Sequence, residues 1–163
     1  MSDARPITLA KALSIRKRLA GRLAQARSLI IEYNSVLSGL YDVLGKSTVD
    51  VRVEYDRFRK IQDGLIVVKA LIQRANQPID EDLLQLRELR SLIRLLNELD
   101  TRHGTEPGLN GVEYQYMAVF RKPDVLAMVR DLEVQMDALQ DRIDEFQNEA
   151  RVEIPSWILT LAQ

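Results

Sequence analysis

The sequence predicts an all-α protein: a long antiparallel, coiled-coil-like bundle of about four helices, with one short strand or hairpin near residues 112–120. Three observations carry that prediction. Apolar residues recur at alternating steps of three and four along most of the chain, the spacing that lines one face of a helix. Leu, Arg, Asp and Glu dominate while Gly (7) and Pro (5) are few, a composition suited to long helices. Between residues 104 and 123, where Gly and Pro cluster, the helical period stops.

The first helix is predicted from about Ile7 to Leu44, with the seam Leu9, Ala12, Arg16, Leu19, Leu23, Ala26, Ile30, Tyr33, Leu37, Leu40 and Leu44. Arg16 is its one charged member. Gly39 weakens the last turns and Gly45 is a natural C-terminal stop. A second helix is predicted from about Asp50 to Asn76, where Val51, Phe58, Leu65 and Ile72 repeat every seven residues. Asn76-Gln77-Pro78 ends it. A third runs from about Glu81 to Thr101, with Asp80 as N-cap and Glu81 and Asp82 complementing the positive end of the helix dipole. Its stripe, Leu83, Leu86, Leu89, Ile93 and Leu96, is widened by Leu84, Leu92, Leu95 and Leu99 into a face broad enough for two neighbours.

Gly104, Pro107, Gly108 and Gly111 then mark a loop, and Val112 to Phe120 reads as extended. A connection of that length is a candidate functional or assembly loop. The fourth helix runs from about Asp124 to Ala150 on the unbroken seam Val125, Val129, Leu132, Met136, Leu139, Ile143, Phe146 and Ala150. Residues 1–150 are thus expected to form a single helical domain, with loop 104–123 inserted before its last helix. Residues 151–163 are an apolar tail and a possible docking segment.

Composition excludes several kinds of chemistry. With no Cys, disulfides, thiolate metal sites and thiol nucleophiles are ruled out. His103 is the single His, so one chain cannot supply a multi-His metal site. Gly45-Lys46-Ser47 resembles the end of a phosphate loop, but five residues rather than four separate it from Gly39, and a helix rather than a strand precedes it. No apolar stretch approaches the ~20 residues that span a bilayer. The expectation is a non-enzymatic protein without cofactor or membrane association, located in the cytoplasm or in a virion or similar particle.

Charge is distributed unevenly although the net charge is only -1. The first helix carries Lys11, Arg16, Lys17, Arg18, Arg22 and Arg27, following Arg5, with no acid between Ala4 and Ile31. The fourth carries Asp124, Asp131, Glu133, Asp137, Asp141, Asp144, Glu145 and Glu149. Opposite charge beside apolar seams sets helix pairing, within or between chains. The expected oligomer seam is therefore Leu9, Arg16, Leu23 and Ile30 with Val129, Leu132, Met136, Leu139, Ile143 and Phe146. Arg16 would act there as a register device with a buried carboxylate as partner.

Two other classes are carried beside this one. Lys11, Lys17, Arg18, Arg22 and Arg27 would suit a nucleic acid or another polyanion, although aromatic residues for base stacking are scarce among them. Asp137, Asp141, Asp144 and Glu145 share a helix face and would suit a hard cation at a subunit interface. In the tail, Trp157, Ile158, Leu159 and Leu161 either fold back on the bundle or dock a partner.

Three stretches carry a resemblance. They are Leu71-Ile72-Gln73-Arg74-Ala75-Asn76 before an acidic helix start, Glu113-Tyr114-Gln115-Tyr116 before Pro123-Asp124-Val125, and Leu139-Gln140-Asp141-Arg142-Ile143-Asp144-Glu145 with Asn148 and Glu153-Ile154. Together they resemble the septicolysin-like family of bacterial helical proteins over about half the chain. Glu149 stands where that family usually has Trp after its late Asn. The resemblance implies a helical fold and oligomerisation rather than an activity. The function expected is homo-oligomeric assembly with partner docking through the loop or the tail, as a component of a larger assembly such as a phage or shell particle.

Overall fold

The computed structural model of the protein describes residues 3–35, 49–108 and 111–163. The chain is mostly helical, with two small two-stranded ribbons. In order it forms β1 (Ala4–Thr8), α1 (Leu9–Tyr33), α2 (Val51–Asn76), a 3-10 turn (Gln77–Ile79), α3 (Asp80–Glu98), β2 (Gly104–Pro107), β3 (Glu113–Tyr116), α4 (Lys122–Glu149), β4 (Arg151–Pro155) and α5 (Ser156–Leu161). Contacts divide it into two units, residues 1–77 with 146–163, and residues 78–145. The predicted end of the first helix (Leu37, Gly39, Leu40, Leu44) and the Gly45-Lys46-Ser47 turn lie outside the described residues.

The first unit is built on α1 against α2. Thr8 caps α1 by accepting from the Lys11 backbone N–H at 3.1 Å. Asp50 caps α2, accepting from Arg52 and Val53 backbone N–H groups at 2.9 and 3.3 Å. Leu9, Ala12, Ile15 and Leu19 of α1 meet Ile61, Leu65, Val68 and Ile72 of α2 in one buried cluster. Val152 and Ile154 of β4 and Ile158 of α5 complete it. Leu9, Leu19, Ile61, Val68, Ile154 and Ile158 are fully buried there, each worth about 1.5–3 kcal/mol relative to exposure.

β1 and β4 pair antiparallel from Ala4 opposite Pro155 to Thr8 opposite Arg151. Leu9 N–H extends the ladder to the Ala150 carbonyl at 2.9 Å. The sequence reading treated both strands as helix approach and tail. Five-residue strands with Pro6 in one and Pro155 in the other give little local signal. The alternation of Val152 and Ile154 inward with Arg151 and Glu153 outward is nevertheless a strand period.

In the second unit α3 lies antiparallel to α4. Asp82 pairs with Arg142 at 3.0 Å and Arg90 donates to Gln140 at 3.1 Å toward one end. Leu96 packs with Val125 and Val129 toward the other, with Ile93, Leu99 and Leu132 around them. Asp80 proves to be the first helical residue rather than the N-cap. Ile79 occupies the cap position without a side-chain bond, and Asp80, Glu81 and Asp82 fill the first turn. The segment read as a loop contains a strand. β2 pairs with β3 from Gly104 opposite Tyr116 to Pro107 opposite Glu113, and Gly104 (φ 99°) takes the left-handed turn that leads into it.

Candidate interaction surfaces

The predicted oligomer seams are occupied within the chain. Leu9 is fully buried against α2 and the β4–α5 segment, and Leu23 packs on the edge of the same cluster. Ile30 is half-buried. Val129 and Leu132 pack with Leu96, while Leu139 and Ile143 are buried and Met136 is half-buried. Phe146 joins the cluster of the first unit. Arg16 is exposed, and Ile15 takes the buried place expected for it. Steps of three then four from Ala12 reach Leu19 through Ile15, and steps of four then three reach it through Arg16. Burying the aliphatic residue spares the desolvation of a guanidinium. Ile15 rather than Arg16 is therefore the seam residue that α1 turns into the chain's own core.

Within the first unit, basic α1 packs on α2 through apolar residues. Among the described residues, ion pairs join Arg57 to Glu54, Arg102 to Asp100 and Arg142 to Asp82, none of them linking α1 to α4. Arg18 and Arg22 are occupied in another way. Their Nη1 atoms donate to the carbonyls of Ala162 (3.3 Å) and Leu161 (2.6 Å), closing the C-terminal end of α5. One donor of each is thereby engaged, while Arg18 stays exposed and Arg22 half-buried. Lys11, Arg16, Lys17 and Arg27 stay exposed, in no ion pair among the described residues.

The tail folds back. Ile158 is fully buried, and Leu159 and Leu161 pack against the cluster, so these side chains serve the chain's own core rather than a partner. Trp157 is the exception at 47 % exposure. Its ring lies over Gly64 of α2: a Cβ there would sit 3.5 Å from Trp157 Cζ3 and 3.4 Å from Leu161 Cδ1. The mid-helix Gly64, which costs helix stability on its own, makes room for α5. Lys60, Asp63, Trp157, Thr160 and Leu161 border a shallow depression beside it.

A larger groove of about 730 Å³ runs along α1 and α2. Leu13, Ala20, Leu23 and Leu65 give it an apolar floor, and Arg16, Lys17 and Lys69 a cationic rim. Sequence reasoning missed it because it needs the α1–α2 pairing. On α4, Asp131, Glu133, Asp137, Asp141 and Glu145 are exposed and outside any ion pair, and Asp144 accepts from Gln140 at 2.9 Å. Among the described residues no group of three or more His, Asp or Glu side chains is placed to hold a metal ion. The acids thus do not converge within the chain.

At the base of the β2–β3 ribbon Arg102 Nε donates to both Asp100 oxygens at 2.9 and 3.0 Å. Its Nη1 donates to the Tyr116 hydroxyl at 2.9 Å, with the guanidinium carbon 4.1 Å from that ring's centroid. The side-chain hydrogen bond from Arg102, aided by its backbone N–H, lowers the Asp100 pKa to about 2, and the same bond raises that of Arg102. Beyond this braced base, Met117 (85 % exposed), Val119 (89 %) and Phe120 are open to solvent. So are Leu84, Leu92 and Leu95 of α3, the residues expected to give that helix a second neighbour. No helix among the described residues is long and apolar enough to cross a membrane. No family model, curated protein or solved structure matches the chain.

Proposed function

We propose that this is a non-enzymatic helical assembly protein that associates with copies of itself and docks a partner through the segment around residues 112–120. One observation carries the reading. After both units have satisfied their seams internally, Leu84 (54 % exposed), Leu92 and Leu95 (56 %) on α3 still face water, as do Met117 and Val119 before α4. Scattered exposed leucines are ordinary, but a repeated outward set on a helix that already has a buried stripe marks a contact surface. The braced Arg102–Tyr116 base holds the apolar residues that follow it in a defined place, which reduces the ordering cost of docking. The septicolysin-like resemblance supports the same reading, and a component of a larger particle is one form it takes. Light scattering on the full chain at micromolar concentration tests it: the expected result is a mass above that of one chain, and a strict monomer refutes self-association.

A second reading has its own support. Lys11, Arg16, Lys17 and Arg27 on α1 are exposed and in no ion pair among the described residues, as a polyanion-binding face requires. It predicts salt-sensitive binding of a labelled oligonucleotide. No change in anisotropy at low salt eliminates it.

A further inference from the structure

We propose that the outward face of α4 in one copy seats in the α1–α2 groove of a second copy. The inference rests on the self-association reading above and assigns it a surface. α5 covers one flank of the α1–α2 pair, held by Arg18, Arg22 and the gap over Gly64. At ~100° per residue, Arg16, Lys17 and Ala20 point to the other flank of α1, where among the described residues α1 and α2 alone line the groove. Its floor is Leu23 and Leu65, and its rim is Arg16, Lys17 and Lys69. Ile66, three residues before Lys69 and 61 % exposed, extends the apolar strip outward along α2. No acid lines this groove.

α4 presents the complement. Opposite its buried seam, Asp131, Val134, Asp137, Ala138, Asp141 and Glu145 fall within about 120° of arc at ~100° per residue and so share one face, on which four carboxylates outnumber the single cation Arg130. Val134 is 65 % exposed at its centre, and the acids flank Val134 and Ala138. An apolar ridge between carboxylates therefore meets an apolar floor between cations, and each side satisfies what the other leaves open. Asp131 to Glu145 spans roughly 21 Å of helix, enough to cover the roughly 15 Å from Leu13 to Leu23. An oligonucleotide fits this groove less well, because Leu23, Leu65 and Ile66 offer a phosphate nothing and no aromatic ring lines it for stacking. Groove and ridge are different surfaces of one chain, so the contact either closes reciprocally in a dimer or runs head-to-tail into a ring or filament.

A charge-swap experiment on the full-length protein tests this. Arg16→Glu with Lys17→Glu makes the rim acidic, and Asp137→Lys with Asp141→Lys makes the ridge basic. All four side chains are exposed, and circular dichroism checks that both variants fold. Each variant alone should associate at least about 10-fold more weakly than wild type in light scattering, because like charges then face each other. An equimolar mixture should recover wild-type association, since both contacts between unlike variants are complementary. If both variants associate as wild type does, or if mixing fails to rescue them, the assigned surface is wrong while self-association stands. A wild-type protein that remains monomeric overturns both, and oligonucleotide binding by that monomer would transfer Arg16 and Lys17 to the polyanion reading.

Discussion

Replacing Gly64 separates two effects that usually travel together. Gly in a helix interior costs about 0.8–1.0 kcal/mol relative to Ala. A Cβ at Gly64 would lie 3.4 Å from Leu161 Cδ1 and 3.5 Å from Trp157 Cζ3, ordinary contact distances. Gly64→Ala should therefore keep most of the propensity gain, about 0.5–1 kcal/mol, and raise the melting temperature by about 1–4 °C. Gly64→Leu pushes its branch atoms into Trp157 and Leu161. Overpacking costs about 1–3 kcal/mol, and escape by lifting α5 would expose Ile158 at about 1.5–3 kcal/mol. Trp157 is the only tryptophan, so its emission reports on α5 alone. Thermal melts followed by circular dichroism, with fluorescence of the native state, make the assay. Emission should be unchanged in Gly64→Ala and red-shifted in Gly64→Leu. A Gly64→Ala protein that loses more than 1 kcal/mol, or that red-shifts as the Leu variant does, would refute the account of Gly64 as room made for α5.

The remaining predictions concern single polar contacts. Arg22→Ala removes the donor to the Leu161 carbonyl and should cost about 1–2 kcal/mol in a urea titration, with a red shift of Trp157 emission; wild-type stability would show the bond to be replaced by water. At the ribbon base, the lowered Asp100 pKa means its contact with Arg102 is complete above the ordinary carboxylate range, near 3.8, and is lost as pH falls through about 2. Tyr116 ring resonances should hold steady from pH 7 to 4 and move only below that. Asp100→Asn should shift them at every pH, and a wild-type midpoint near 4 would contradict the Arg102 bond.

The legible parts of this fold were those in which one segment decides its own structure. α4 obeyed its seam from Val125 to Phe146 because a 28-residue helix with one apolar stripe has few alternatives. α2 and α3 were bounded within two or three residues by Asp50, by Pro78 and by the Gly104 region. What stayed hidden depends on choices between segments. Charge pointed to α1 with α4, whereas chain continuity and apolar fit give α1 with α2. The β1–β4 ladder joins opposite ends of the sequence, a distance that no local period reports. Of the candidate surfaces, the outward leucines of α3 were visible as an overly wide face, while the groove beside Arg16 required two helices to exist.

That ladder also sets a timetable. β1 and α1 leave the ribosome well before the strand and helix that complete their core. At roughly 5–20 residues per second, β1 waits on the order of 10–30 s for its partner. Residues 78–145, whose contacts are local, have everything they need well before then. The unit that holds β1 therefore completes its core after residues 78–145 have theirs, and in that interval the apolar face of α1 depends on α2 for cover.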